Sequence, residues 1–236
     1  DFQPSYSASS VFLLRPQQNY RAEKALRLEL DKQAKSRQEA KALPEFRDLF
    51  LAASAEARLN ELDFQQKNGS EVRYGVHLEL HHHVSSRHMF VSQKRAECSD
   101  GYQVVVDSHA GESNWFRIMP RLRVHSEGER VHLGDPVIFQ SPRTGLLITI
   151  NLQHSTSGLL PERRELSAVR GKESTAFRIL LHRDYALHRQ SHSLLGRQPL
   201  RLRHKQSGGL VRGRSADQGT LDPQDGIETP AVIETP

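Results

Sequence analysis

Hydrophobic and polar positions alternate in two different rhythms along this chain. The phrase Trp115-Phe116-Arg117-Ile118-Met119-Pro120 sets Phe and an aliphatic residue two positions apart, with variable positions between and after them. It recurs as Val11-Phe12-Leu13-Leu14-Arg15-Pro16 and, without the Pro, as Ala176-Phe177-Arg178-Ile179-Leu180. A period of two is that of a strand with one buried face. Three copies of one strand phrase point to an architecture built from internal repeats.

Further strands are predicted at Gly75–Leu80, where Val76, Leu78 and Leu80 share a face, and at Met89–Val91 and Val104–Val106. Others follow at Gly134–Phe139, Leu146–Ile150, Pro199–Arg203 and Leu210–Val211. The rhythm changes between Asn19 and Gly69, where Ala, Leu, Glu, Lys and Arg dominate and the spacing is helical. One helix is predicted from a cap at Asn19 to about Leu43. A second starts at Pro44, whose missing N–H costs nothing in a first turn, and ends at Asn68-Gly69. Phe46, Leu49, Phe50, Ala53, Ala57 and Phe64 recur at three- and four-residue spacing and predict a stripe facing the partner helix.

Spacing relates the two rhythms. Phe116 to Phe177 is 61 residues, whereas Phe12 to Phe116 is 104; removing the 51 residues from Asn19 to Gly69 leaves 53. The helical hairpin is therefore an insertion into a threefold β repeat. The predicted class is mainly β: a β-trefoil with an inserted α-helical arm, in which Phe12, Phe116 and Phe177 are symmetry mates in one core. The domain expectation is a first trefoil over 1–190, incomplete at its N-terminus, with the arm at about 19–69. The first strands of a second trefoil follow at 191–213, and a low-complexity, disordered tail at 214–236.

Composition narrows the picture. Of 236 residues, 36% are hydrophobic, and no run approaches the roughly 20 apolar residues of a membrane-spanning helix. The start, without Met or a signal-like segment, reads as a piece of a longer protein. The single cysteine, Cys98, allows no internal disulfide and suits a reducing, cytosolic setting. The net charge of +5 gathers late, at Arg197, Arg201, Arg203, Lys205, Arg212 and Arg214. No aromatic stacking motif accompanies it, so nucleic acid is not an expected partner.

Each candidate chemistry has a plain structural counterpart. His81, His82, His83 and His88 form the densest polar cluster, with His81 and His83 expected on one strand face and His82 on the other. Neither Cys nor carboxylate is placed to complete a metal site, so the cluster reads as a polar strand edge. Cys98 reads as a loop thiol. Glu127, Glu129 and Asp135 fall in turns, and Trp115 reads as structural beside a core Phe. The sequence has no phosphate loop and no nucleophile elbow. No catalytic, cofactor-binding or metal-ligating residue is predicted, no cofactor is expected, and the chain is not expected to be an enzyme.

The ordered motifs resemble the N-terminal region of the inositol trisphosphate receptor and ryanodine receptor family of calcium-release channels, over approximately Val11 to Val211. The residues that carry the resemblance are Phe12–Tyr20 leading into an inserted helical arm, Tyr74-Gly75, Glu112–Phe116, the run Ser126–Asp135, and Phe177–Leu180. The resemblance implies a suppressor-type trefoil that does not itself hold the soluble ligand. Inositol trisphosphate would be bound downstream, while this region contacts neighbouring subunits of a homotetramer, the downstream ligand-binding core and regulatory proteins. It also implies the cytosolic face of the endoplasmic reticulum. Gly213-Arg214-Ser215 is similar to a phosphate-binding turn of the second trefoil but falls too early for that role to be carried over. The rival reading is a MIR-type trefoil module that recognises sugars or protein partners, with Trp115 as a stacking platform.

Overall fold

Inward residues of each Phe phrase converge on a single core. Phe12, Phe116 and Phe177 are all at most 1% exposed and share one cluster with Leu14, Ile118 and Ile179. The computed structural model describes residues 8–33, 36–97, 99–107, 111–150, 163–171, 175–182, 193–213 and 229–234.

Its strands fall into three units of four. The first holds β1 (Phe12–Pro16), β2 (His77–His82), β3 (Arg87–Arg95) and β4 (Tyr102–Asp107). The second holds β5 (Trp115–Pro120), β6 (Pro136–Gln140), β7 (Leu147–Ile150) and β8 (Arg163–Val169), and the third β9 (Phe177–Leu181), β10 (Pro199–His204), β11 (Leu210–Gly213) and β12 (Thr229–Glu234). The first two strands of every unit close a ring, β1-β2-β5-β6-β9-β10 and back to β1, every pair antiparallel. The last two strands of each unit pair with one another, and β4, β8 and β12 meet pairwise in a triangle across one end. This is a β-trefoil, and closure removes the unpaired edges an open sheet would expose.

The expectation of a second trefoil at 191–213 is overturned. Residues 199–204 pair with β1 on one side and β9 on the other, so they complete the first ring. Leu194, Leu200, Leu202, Val211 and Ala231 lie in the same core as the three phenylalanines. The tail expectation fails over Thr229–Glu234 for the same reason, because this segment is the third strand of the end triangle. The third unit begins with β9 at Phe177, and residues 199–204 are its second strand.

The opposite end of the barrel is tied by a second threefold device. Val72 N–H donates to the Leu194 carbonyl, Leu194 N–H to Val131, and Val131 N–H to Val72, each at 2.8–2.9 Å. Isolated bridges Glu71↔Leu195, Arg73↔Arg130 and His132↔Ser193 flank this ring. Equivalent positions one turn later are Gly75, Gly134 and Arg197, with φ of 88°, 86° and 67°. Val76 sits in the first of these turns rather than in β2 and is exposed, unlike Leu78 and Leu80.

The arm is inserted between β1 and β2. It comprises α1 (Arg21–Lys32), α2 (Arg37–Lys41) and α3 (Arg47–Gln66). The first predicted helix is thus two: after α1 ends, Ser36 restarts the helix with a capping box to Glu39. Pro44 opens a short 3-10 turn, Pro44–Phe46, that leads into α3. Leu26, Leu30, Ala40, Phe46 and Ala53 form a small core separate from that of the barrel, with Leu49 and Phe50 packed on it. Ala57 is exposed instead, and Phe64 leaves the helix pair to lie beneath the barrel arginines Arg15 and Arg197. The stripe has two successive partners, which its spacing alone does not distinguish.

Candidate functional site

The arm's root crosses the outer face of β2. Alternation along β2 sends Leu78 and Leu80 inward and Glu79 outward, yet Glu79 is fully buried. One of its carboxylate oxygens accepts the Tyr20 hydroxyl at 2.8 Å and the other the Gln18 N–H at 3.2 Å, both from the segment that leads into α1. His88 Nδ1 lies 3.3 Å from the same carboxylate, and Trp115 is its cross-strand neighbour on β5. Burial, then the nearby Glu79 charge, holds the Tyr20 phenol well above its ordinary pKa, so it stays a donor. A buried carboxylate is tolerated only when its hydrogen bonds are made. The root of the arm supplies them.

The arm is also pinned beyond its root. Glu56 of α3 accepts the backbone N–H groups of Ala22 at 2.9 Å and Glu23 at 3.1 Å, capping α1 from across the hairpin. Asn19 and Asn60 exchange two hydrogen bonds, 2.9 and 2.7 Å. At the far end of α3, Gly69 and Gly196 are joined through backbone hydrogen bonds with Ser70. Two clefts flank the arm. One, about 390 Å³, lies between the end of α3 and the barrel rim. The other, about 760 Å³, lies between α1 and β3 and is lined by Lys24, Arg27, Lys94 and Arg143 together with Glu23 and Glu112.

The histidine cluster divides. His82 points inward, edge-on to Phe12 at 5.3 Å, and its Nδ1 is 2.7 Å from the Ser85 hydroxyl, while its Nε2 is 2.9 Å from the Ser9 carbonyl. His204 and Ser207 repeat this turn at the equivalent place in the third unit, so His82 is a hairpin keystone. His81 faces outward, opposite His88, with rings 5.0 Å apart. Burial first, then the positive charge of Arg15, pushes its pKa down to about 3. His83 lies past the strand and is exposed. Among the described residues no group of three or more His, Cys, Asp or Glu side chains is arranged to hold a metal.

The remaining candidates have structural employment. Glu127 pairs with Arg117 at 2.6 Å, Glu129 meets His125 at 3.2 Å, and Asp135 accepts from the Tyr74 hydroxyl and the His132 N–H. Trp115 is half-buried, with its indole nitrogen inside the protein rather than offered to solvent, which is not how a sugar platform is presented. Arg203 bonds the Gly208 carbonyl in its own hairpin. Cys98, Arg214 and Ser215 lie outside the described residues.

A trefoil with an arm inserted after its first strand is the arrangement that the sequence motifs implied. The sequence model of the inositol 1,4,5-trisphosphate/ryanodine receptor family matches residues 1–186. The chain belongs to that family. The inositol 1,4,5-trisphosphate receptor itr-1 of Caenorhabditis elegans is 29% identical over 92 residues, which are 38% of this chain; the match spans 3% of that receptor's length. Among solved structures, the SDF2-like protein of Arabidopsis thaliana overlays with a TM-score of 0.54 at 13% identity, covering 69% of this chain and 87% of that one. The Saccharomyces cerevisiae protein O-mannosyltransferase Pmt1-Pmt2 complex overlays with a TM-score of 0.56 at 14% identity, covering 72% of this chain and 24% of that one. At such identities the likeness extends to the MIR-like trefoil fold alone. No helix among the described residues is long and apolar enough to cross a membrane.

Proposed function

We propose that this chain is an N-terminal coupling module of an inositol trisphosphate receptor-like calcium-release channel, lying on the cytosolic side of the endoplasmic reticulum or a related store. The observation that carries the reading is the family match over residues 1–186, which takes in the inserted arm and the barrel strands from β1 to β9. In this reading the module binds no soluble ligand for gating. Inositol trisphosphate is held downstream in the same chain, and the module makes different contacts with neighbouring subunits and with that ligand-binding core in the closed and open channel. Only such a difference biases ligand affinity.

The arm suits this work. Leu51, Leu59 and Leu62 share one face of α3 and are 60%, 66% and 46% exposed, a larger apolar display than the described barrel strands offer. The root network and the Glu56 cap fix that face relative to the barrel, so a contact there is felt at β2. The test is the full-length receptor with Leu51→Ser, Leu59→Ser and Leu62→Ser together, expressed in cells lacking other release channels. The expected result is a shifted inositol trisphosphate threshold for calcium release with normal receptor abundance. An unchanged dose–response curve sinks the arm-contact reading.

A further inference from the structure

The cleft between the end of α3 and the barrel rim offers more apolar than polar lining, with Val72, Val76 and the Phe64 ring beside Gln17, Asn68, Ser70 and His77, and its volume of about 390 Å³ suits a small molecule. Two guanidinium groups open into it. Arg15 of β1 stacks on the Phe64 ring at 4.7 Å and Arg197 on the same ring at 5.2 Å. Arg15 is the cross-strand neighbour of Glu79 but forms no ion pair with it, and its buried Nε has no hydrogen-bond partner. Among the described residues no carboxylate lies within ion-pair distance of either guanidinium. Glu71, the acidic residue lining the cleft, is engaged at 2.8 Å by Arg130 and at 3.6 Å by Arg73, and Lys67 is engaged by Asp63.

Arg197 carries an internal control. Its threefold equivalents are Gly75 and Gly134, and all three have left-handed φ. Two copies give this turn to glycine, which adopts it freely; the third holds an arginine there, against its backbone preference, with its side chain over Phe64. Two guanidiniums, each oriented by the same aromatic ring and both lining a cleft with apolar walls, match an anion carried on an apolar body.

We propose that this cleft is a binding site for a small amphiphilic anion, a phosphate or carboxylate on an apolar group, held by Arg15 and Arg197. The site goes beyond the coupling reading, since it assigns a ligand to this chain rather than to its neighbours. Because Phe64 belongs to the arm and both arginines to the barrel, an occupant would tighten the junction between them.

The test is calorimetric titration of the purified 236-residue chain with phenyl phosphate and with inorganic phosphate, beside Arg197→Gly and Arg15→Gln variants. Arg197→Gly relieves the backbone and is expected to fold at least as well as the parent, so loss of binding there is not loss of structure. The expected result is saturable binding of phenyl phosphate, tighter than that of inorganic phosphate, weakened at least tenfold in each variant. Equal affinity of parent and Arg197→Gly, equal affinity for the two probes, or absence of saturable binding by the folded parent overturns the proposal. None of these results bears on the leucine-face test in the full-length receptor.

Discussion

Glu79 and His81 are consecutive outward residues of β2, and both are buried, Glu79 beneath the root of the arm and His81 against His88. Glu79→Ala leaves the Tyr20 hydroxyl and the Gln18 N–H without their acceptor and is expected to cost about 2–4 kcal/mol, read as a lower urea midpoint with unchanged slope. Tyr20→Phe removes a single donor and should cost about 1–2 kcal/mol. His81 is held neutral, with a folded pKa of about 3, against an unfolded value near 6.5. A depressed pKa contributes stability that is complete above pH 6.5 and is lost as pH falls through the interval toward 3. At pH 5 the loss amounts to about 2 kcal/mol relative to pH 7.5. Urea unfolding at the two pH values checks this, and His81→Gln should remove most of the difference that His81 causes. At this scale the sequence was half legible. The alternation of apolar Leu78 and Leu80 fixed which way Glu79 and His81 face, but nothing in the spacing says that an inserted segment roofs over that outer face.

Among the elements, the arm behaves as a unit with its own small core, and its helices are held by caps as much as by packing. Glu56→Ala removes the acceptor for two N–H groups of α1 and is expected to destabilise the arm by about 1–2 kcal/mol. Hydrogen exchange should report faster opening in Arg21–Lys32 while the barrel strands keep their protection. If β2 and β5 exchange faster to the same extent, the arm is not a separable unit. The insertion itself was legible, because a 51-residue helical stretch broke an otherwise even Phe spacing. The split of the first helix was partly so, since Ser36-x-x-Glu39 is a start signal inside what composition reads as one helix. The exposure of Ala57 and the departure of Phe64 were not, because helical periodicity names a face and not its partner.

Considered whole, the described strands count three units of four, the third running from Phe177 to Glu234. In the sequence this third unit was masked by its last strand, whose Thr-Pro-Ala-Val-Ile-Glu reads as low complexity and carries a Pro near its start. Truncation after Gly213 therefore discriminates sharply. A tail would be dispensable, whereas loss of Thr229–Glu234 strips β4, β8 and β11 of a partner and should abolish the cooperative thermal transition. A truncated chain that melts as the parent does would refute the closed threefold barrel. The candidate clefts were beyond the reach of sequence reading, because each forms where the arm meets the barrel, and residues as distant as Arg15, Phe64 and Arg197 become neighbours only after both are built.

The arm's two anchored ends bear on how the chain reaches its fold. β1 and β2 are direct neighbours, Arg15 opposite Glu79, although 63 intervening residues separate them. Closing so long a loop is slow when the chain between is slack. Here the intervening segment nucleates its own core, and Asn19 with Asn60 and Glu56 with Ala22 draw its ends toward one another. The arm acts as an internal splint that shortens the search for the first barrel pairing. Phe46→Ala, buried wholly within the arm, is accordingly expected to slow refolding of the barrel in stopped-flow experiments followed by Trp115 fluorescence, with most of its effect on the folding limb of the chevron. An effect confined to the unfolding limb would mean that the barrel closes first and the arm assembles upon it.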